Sequence, residues 1–363
     1  MTKLHQLAEL GQSVWYDNIS RGLLNSGGLQ ELVDLGVRGV TSNPTILNRA
    51  ISGSDDYDDA LFPLAAAGKS SLEIYEALVI EDIQRAADVL RPLYEESAGL
   101  DGYVSLEVNP HLAHDTAGTI AEAKRLYAAL NRPNVLIKVP ATPAGIPAIE
   151  TLIGQGVNIN VTLIFALDAY RAVAEAYIAG LERRAAAGLD LAKAASVASF
   201  FVSRIDTAVD RLLAEVQTAE AEALQGKIAI ACAKSAYVMF KEIFVGERWE
   251  RLAAQGARVQ RPLWASTSTK NPAYPDTLYV EPLIGPHTVN TLPPVALEAF
   301  LDHGQVALTV EKGLDEARAH LQQLTALGIS LDAVTQQLLD EGVASFSRSF
   351  DSLLSGIETK SKG

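Results

Sequence analysis

The stretch Asn134-Val135-Leu136-Ile137-Lys138-Val139-Pro140-Ala141-Thr142 decides how this chain is read. A run of branched apolar residues, with proline near its end, predicts a buried strand over Val135–Val139. Side chains alternate across a strand, so Val135, Ile137 and Val139 share one face and Leu136 and Lys138 the other. A lysine is almost never fully buried unless something holds it there. Desolvation favours the neutral amine, and a neutral amine attacks carbonyl carbons to form a Schiff base. The plainer alternative is a lysine at a strand end, reaching to solvent.

Outward from this strand, helical patterns alternate with short apolar runs. The runs predict strands over Ser13–Ile19, Arg38–Ser42, Tyr103–Val108, Asn158–Val161, Val197–Val202, Pro262–Ala265 and Leu278–Val280. Helices are predicted between them, among others Leu72–Leu93, Ala117–Ala129, Leu167–Ala187, Ala208–Ala221 and Ile228–Phe244. Eight strands with intervening helices predict an α/β fold, a (β/α)8 TIM barrel. An open doubly wound sheet competes, but it favours an early glycine-rich phosphate loop, and the sequence has no such pattern. A single domain over 1–363 is expected, with a helical insertion at about 55–96 and a C-terminal helical tail at about 292–363. Apolar residues recur at helical spacing over Asp332–Leu354, predicting a helix along the barrel or across its mouth, while Ser361 to Gly363 are expected to fray.

The 363 residues are 48% hydrophobic and 20% charged, the profile of a globular protein with a large core. No apolar run is long enough to span a bilayer, and the first residues lack a signal-peptide apolar segment. Cys232 is the one cysteine, which fits a reducing cytoplasm. The formal net charge of −14 repels nucleic acid and anionic membranes, so neither is an expected partner. It also repels a phosphorylated substrate, so any phosphate site must be locally basic. The pair Arg183-Arg184 and the tail lysines Lys360 and Lys362 read as solvated charges. Monomer and homodimer both remain open.

In such barrels the chemistry sits at the C-terminal ends of the strands. Polar residues gather there, strand after strand: Asp17 and Asn18, then Thr41-Ser42-Asn43-Pro44-Thr45, then Glu107 and Asn109. Lys138 and Thr142 follow, then Asn160 and Thr162, Ser199 to Arg204, and Ser266 to Asn271. Singly, each reads as a cap or a turn. Jointly, two carboxylates and a lysine inside a barrel supply a nucleophile and two proton-transfer groups.

These residues resemble the transaldolase family, Schiff-base transferases of the non-oxidative pentose phosphate pathway. The resemblance rests on Thr41-Ser42-Asn43-Pro44-Thr45, on Val135 to Thr142, on Asn158-Ile159-Asn160-Val161-Thr162, on Ser199 to Asp206 and on Thr269-Lys270-Asn271-Pro272, in family order. Gly285-Pro286-His287-Thr288-Val289-Asn290-Thr291 resembles the longer bacterial branch. The resemblance implies that Lys138 forms the Schiff base and that Asp17 moves the C4 hydroxyl proton. It implies that Glu107 and Thr162 hold a water for proton shuttling, and that Asn43, Asn160, Ser199 and Phe201 line the dihydroxyacetone portion. Arg204, Ser268 and Lys270 match the phosphate site, with lysine where the family's better-known pattern has arginine. A lysine binds phosphate as a point charge, not as a fork. Sugar phosphates are the implied substrates. No cofactor and no metal are implied, because the iminium supplies the electron sink.

Three rivals stand beside this reading. Fructose-6-phosphate aldolases resemble the chain but are much shorter, and carry an amide in place of Glu107 and a tyrosine in place of Phe201. A metal-dependent aldolase would lean on His111 and His114, with no third ligand in a zinc spacing. A non-catalytic sugar-phosphate-binding barrel would be free to lose Lys138, Asp17 or Glu107.

Overall fold

A computed structural model describes residues 1–362 of the chain. Eight strands, β1 (Gln12–Tyr16), β2 (Gly39–Thr41), β3 (Tyr103–Glu107), β4 (Val135–Pro140), β5 (Ile159–Ile164), β6 (Ser196–Phe201), β7 (Arg261–Ala265) and β8 (Thr288–Leu292), close into a barrel. Every neighbouring pair is parallel, and β8 returns to β1 in a register from Gln12↔Thr288 to Tyr16↔Leu292. All strand residues are buried, as expected when side chains fill the lumen and helices cover the outside. Gly39 is needed for that filling, because a Cβ there would lie 2.7 Å from the Trp15 ring. The (β/α)8 TIM barrel predicted from the alternation is the fold observed.

The eighth strand is elsewhere than predicted. Leu278-Tyr279-Val280 forms a turn leading into a short 3-10 helix, Glu281–Leu283. Its amides are spent locally, Leu278 N donating to Pro275 O and Val280 N to Thr277 O. The Tyr279 hydroxyl donates to Asp206 on the helix Ser203–Val216 at 3.0 Å, which ties the segment to the outer layer. The β-branched alternation of Thr288-Val289-Asn290-Thr291-Leu292 takes the vacant place in the sheet. The predicted helix Ala208–Ala221 is likewise broken. It ends at Val216, where Gln217 turns left-handed (φ 58), and a short helix restarts at Ala219.

The last helix, Leu331–Lys362, does not fray at 361; Ser361 and Lys362 are within it, and Gly363 lies outside the described residues. Val334, Leu338, Phe346, Phe350, Leu353 and Ile357 are buried, so its apolar stripe packs against the barrel of its own chain. It runs across the C-terminal end of the barrel. Gly342 lets it approach Leu163 at the end of β5, Thr45 bonds Ser349 at 2.8 Å, and Lys360 bonds Asp58 at 2.8 Å. Leu163 has φ 57 at a register shift between β5 and β6. That strained residue re-aims the strand end beneath the helix. Among the described residues, no helix is long and apolar enough to cross a membrane.

Candidate active site

Lys138 lies in register with Glu107 of β3 on one side and Asn160 of β5 on the other. Its ammonium donates to the Ser42 carbonyl at 2.9 Å and stands 3.7 Å from Glu107 Oε2. Both side chains are almost fully buried, 7% exposed for Lys138 and 5% for Glu107. The alternative of a lysine reaching into solvent is therefore not the one realised. Burial pushes the Glu107 carboxyl up to about 7, against the pull of the lysine. Glu107 Oε2 and Thr162 Oγ1 are buried with no hydrogen-bond partner in the protein.

Asp17 follows the end of β1 directly. Its amide bonds Leu292 O of β8, and Thr41 Oγ1 donates to its carboxylate at 2.7 Å. Burial raises its pKa, while Lys138, the Thr41 hydroxyl, Lys270 and Arg204 hold the rise in check. Asn43 caps the helix Pro44–Ser52, its Oδ1 accepting from Ile46 N at 3.0 Å.

A cavity of about 530 Å³ opens at this end of the barrel. It brings together Asp17, Asn43, Lys138, Thr162, Ser199, Phe201, Arg204, Ser268 and Lys270. Two expected residues do not line it. Asn160 is fully buried beneath, with Nδ2 donating to Ser105 Oγ at 3.1 Å and Oδ1 accepting from Ser199 Oγ at 2.7 Å. Glu107 faces Lys138 but lines a separate cavity.

Cationic groups cluster on the β6–β7 side of the mouth. Arg204 lies with its guanidinium carbon 5.4 Å from the Phe201 ring centre, and that ring packs 5.2 Å from Phe165. Lys270 donates to Ser268 Oγ at 2.7 Å. Burial lowers the pKa of both cations; Arg204 adds to the lowering at Lys270, and Asp17 opposes it at both. One carboxyl raised and two cations lowered around one cavity is the signature of partly dry, mutually compensating charges.

Further residues line the mouth that the strand-end reading did not single out. Thr41 positions Asp17, and Arg49 stands exposed on the rim one turn along the helix that Asn43 caps. Phe346 comes from the last helix. Thr41 was in the quoted motif but carried no signal of its role; Phe346 was visible only as one member of an apolar stripe. His111 is engaged by Asp351 at 2.7 Å, and among the described residues no three His, Cys, Asp or Glu side chains gather around a possible metal position.

A buried lysine between a raised carboxyl and a carbonyl can form an iminium, and the second carboxyl can take a proton from the bound molecule. Comparison with known proteins bears on this chemistry. A family model described as transaldolase/fructose-6-phosphate aldolase matches residues 14–357. The chain belongs to that family. It is 51% identical over 362 residues to "Transaldolase 1" of Streptomyces avermitilis, covering 99% of this chain and 96% of that protein. It is 52% identical to a "Transaldolase" of Thiobacillus denitrificans, covering 97% of this chain and 98% of the relative. To a "Transaldolase" of Trichodesmium erythraeum it is 48% identical, covering 99% and 97%. The match to the transaldolase/fructose-6-phosphate aldolase family thus runs from within β1 through the rest of the barrel and into the last helix.

Proposed function

We propose that this chain is a transaldolase, an enzyme that moves a dihydroxyacetone unit between sugar phosphates through a Schiff base on Lys138. The donor is a ketose phosphate, sedoheptulose 7-phosphate or fructose 6-phosphate. The acceptor is an aldose phosphate, glyceraldehyde 3-phosphate or erythrose 4-phosphate. One domain carries the whole reaction, and the reducing cytoplasm is the setting it implies. The observation that carries the reading is the buried Lys138, 3.7 Å from Glu107 in a barrel mouth that also holds Asp17, Arg204 and Lys270.

The steps follow from these positions. The phosphate is held by Arg204, Lys270 and Ser268, which leaves the other end of the ketose toward Lys138. The Lys138 amine adds to the C2 carbonyl, and the carbinolamine loses its hydroxyl as water with a proton from Glu107. A carboxyl raised to about 7 carries that proton in a good part of the molecules at neutral pH. Thr162 Oγ1, buried and otherwise unpartnered, is the second contact for the water. Asp17 then takes the C4 hydroxyl proton; burial, which raises its pKa, makes it a better base than a carboxylate in water. The C3–C4 bond breaks, its electron pair enters the iminium, and the aldose phosphate leaves. The enamine stays on Lys138, sheltered beneath Phe346 and the last helix. Addition to an acceptor carbonyl runs the same steps backwards. Asn43 and the Ser199–Asn160 pair hold the hydroxyls of the three-carbon unit.

Borohydride reduction in the presence of fructose 6-phosphate tests the proposal. The enzyme should gain the mass of one reduced three-carbon adduct, located on the Lys138 peptide, and Lys138→Ala should gain none. An unmodified wild-type protein, or an adduct elsewhere, would refute the mechanism. The family model also covers fructose-6-phosphate aldolase. Release of free dihydroxyacetone without an acceptor would assign that reaction instead.

A further inference from the structure

Beside the mouth lies a second cavity, of about 300 Å³. It is enclosed by the helices Ser71–Glu96 and Thr116–Leu130, by the turn after β3 and by Phe350 of the last helix. The two cavities share no lining residue. Glu107 lines the side cavity, and Lys138 lines the mouth. Their 3.7 Å contact is therefore the partition between the two spaces. Glu107 Oε2 is a buried oxygen without a hydrogen-bond partner, so the carboxyl is not committed to a structural role. Tyr75 and Asn109 add polar groups, Glu76 and Glu122 line it paired with Arg125, and Leu72, 42% exposed, stands at its outer edge.

We infer that the side cavity is a water and proton port serving Glu107, separate from the mouth through which sugars enter. The inference rests on the Schiff-base reading above and adds a route to it. When the carbinolamine collapses, the C2–O bond breaks and the nitrogen lone pair forms the C=N bond. The departing hydroxyl takes the Glu107 proton and becomes one water. On the way back, water adds to C2 and its proton returns to the Glu107 carboxylate. At both moments the phosphorylated sugar occupies the mouth, so a water passing there must get round it. The side cavity offers a path with no sugar in it. It has room for several waters, each needing roughly 30 Å³. Its polar and charged groups give passing waters hydrogen-bond partners between solvent and Glu107. It also brings solvent protons to the carboxyl while the iminium remains screened on the mouth side.

The test fills the port without touching the mouth. Leu72→Trp caps it from the exposed edge, where a larger side chain leaves the core packing intact. Val79→Phe narrows it from the buried wall. The measurement is enzyme-catalysed exchange of labelled oxygen from water into the C2 carbonyl of fructose 6-phosphate. Alongside it run fructose 6-phosphate affinity and borohydride trapping on Lys138. Exchange should fall about tenfold in both variants, with affinity unchanged and trapping still directed to Lys138. Exchange within about twofold of wild type in Leu72→Trp would overturn the port. So would a fall matched by an equal loss of affinity. Neither exchange nor trapping in the unaltered enzyme would instead overturn the Schiff-base reading itself.

Discussion

Glu107 and Asp206 are both buried carboxyls pushed up to about 7 by burial, yet they sit in opposite situations. Glu107 faces a lysine and has an oxygen that bonds to nothing. Asp206 is fully engaged: it accepts from Ala229 N at 2.7 Å and from the Tyr279 hydroxyl at 3.0 Å. A raised pKa thus accompanies an unpartnered carboxyl oxygen in one case and a structural tie in the other, and only the hydrogen-bond inventory separates them. The structural one makes a prediction. A carboxyl that holds its proton more tightly when folded favours the fold most below its unfolded pKa of 3.8. That contribution is lost as pH rises from there through about 7. Asp206→Asn cannot titrate, so wild type should lose roughly 2 kcal/mol relative to the variant between pH 5 and pH 8. Denaturant unfolding at the two pH values measures this. Parallel losses in both proteins would show that Asp206 is not the group responsible.

At the scale of elements, the last helix is the piece whose role the barrel alone does not predict. It crosses the C-terminal end and contributes Phe346 to the mouth. Phe350 is its anchor: 3% exposed, it meets Tyr75 edge-on at 5.3 Å and closes the side cavity. Phe350→Ala removes that contact and opens the side cavity to bulk water. The expected cost is about 3 kcal/mol, borne locally. Hydrogen exchange over 331–362 should accelerate well before the barrel strands respond. Uniform acceleration across the chain would mean that the helix is part of one cooperative core.

For the whole molecule, the question is how a chain of net charge −14 admits anionic sugars. Salt shortens the reach of charge to about 8 Å at physiological ionic strength, so distant acidic residues matter less than the mouth. Arg49 on the rim and Arg204 and Lys270 within make that mouth locally positive. Low salt should therefore raise kcat/KM for fructose 6-phosphate. Arg49→Glu should lower kcat/KM about tenfold at low salt and invert the salt dependence. Stopped-flow rates across an ionic-strength series decide this. An unchanged slope in the variant would place the steering elsewhere.

What could be read along the chain was local. Alternation and branched apolar runs named seven of the eight strands, and the polar residues at their ends named most of the polar lining of the mouth. These follow from nearest-neighbour physics, in which a strand shows its two faces in its own residues. The eighth strand was decided by tertiary structure, because Leu278–Val280 is the more apolar run and yet Thr288–Leu292, with three polar residues, takes the place in the sheet. Only the Tyr279–Asp206 bond and the full register with β1 choose between them. The separation of Glu107 from the mouth, the engagement of Asn160 by its neighbours, and the path of the last helix were also tertiary. Each depends on which distant segment arrives beside a side chain, and no periodicity along the chain encodes that.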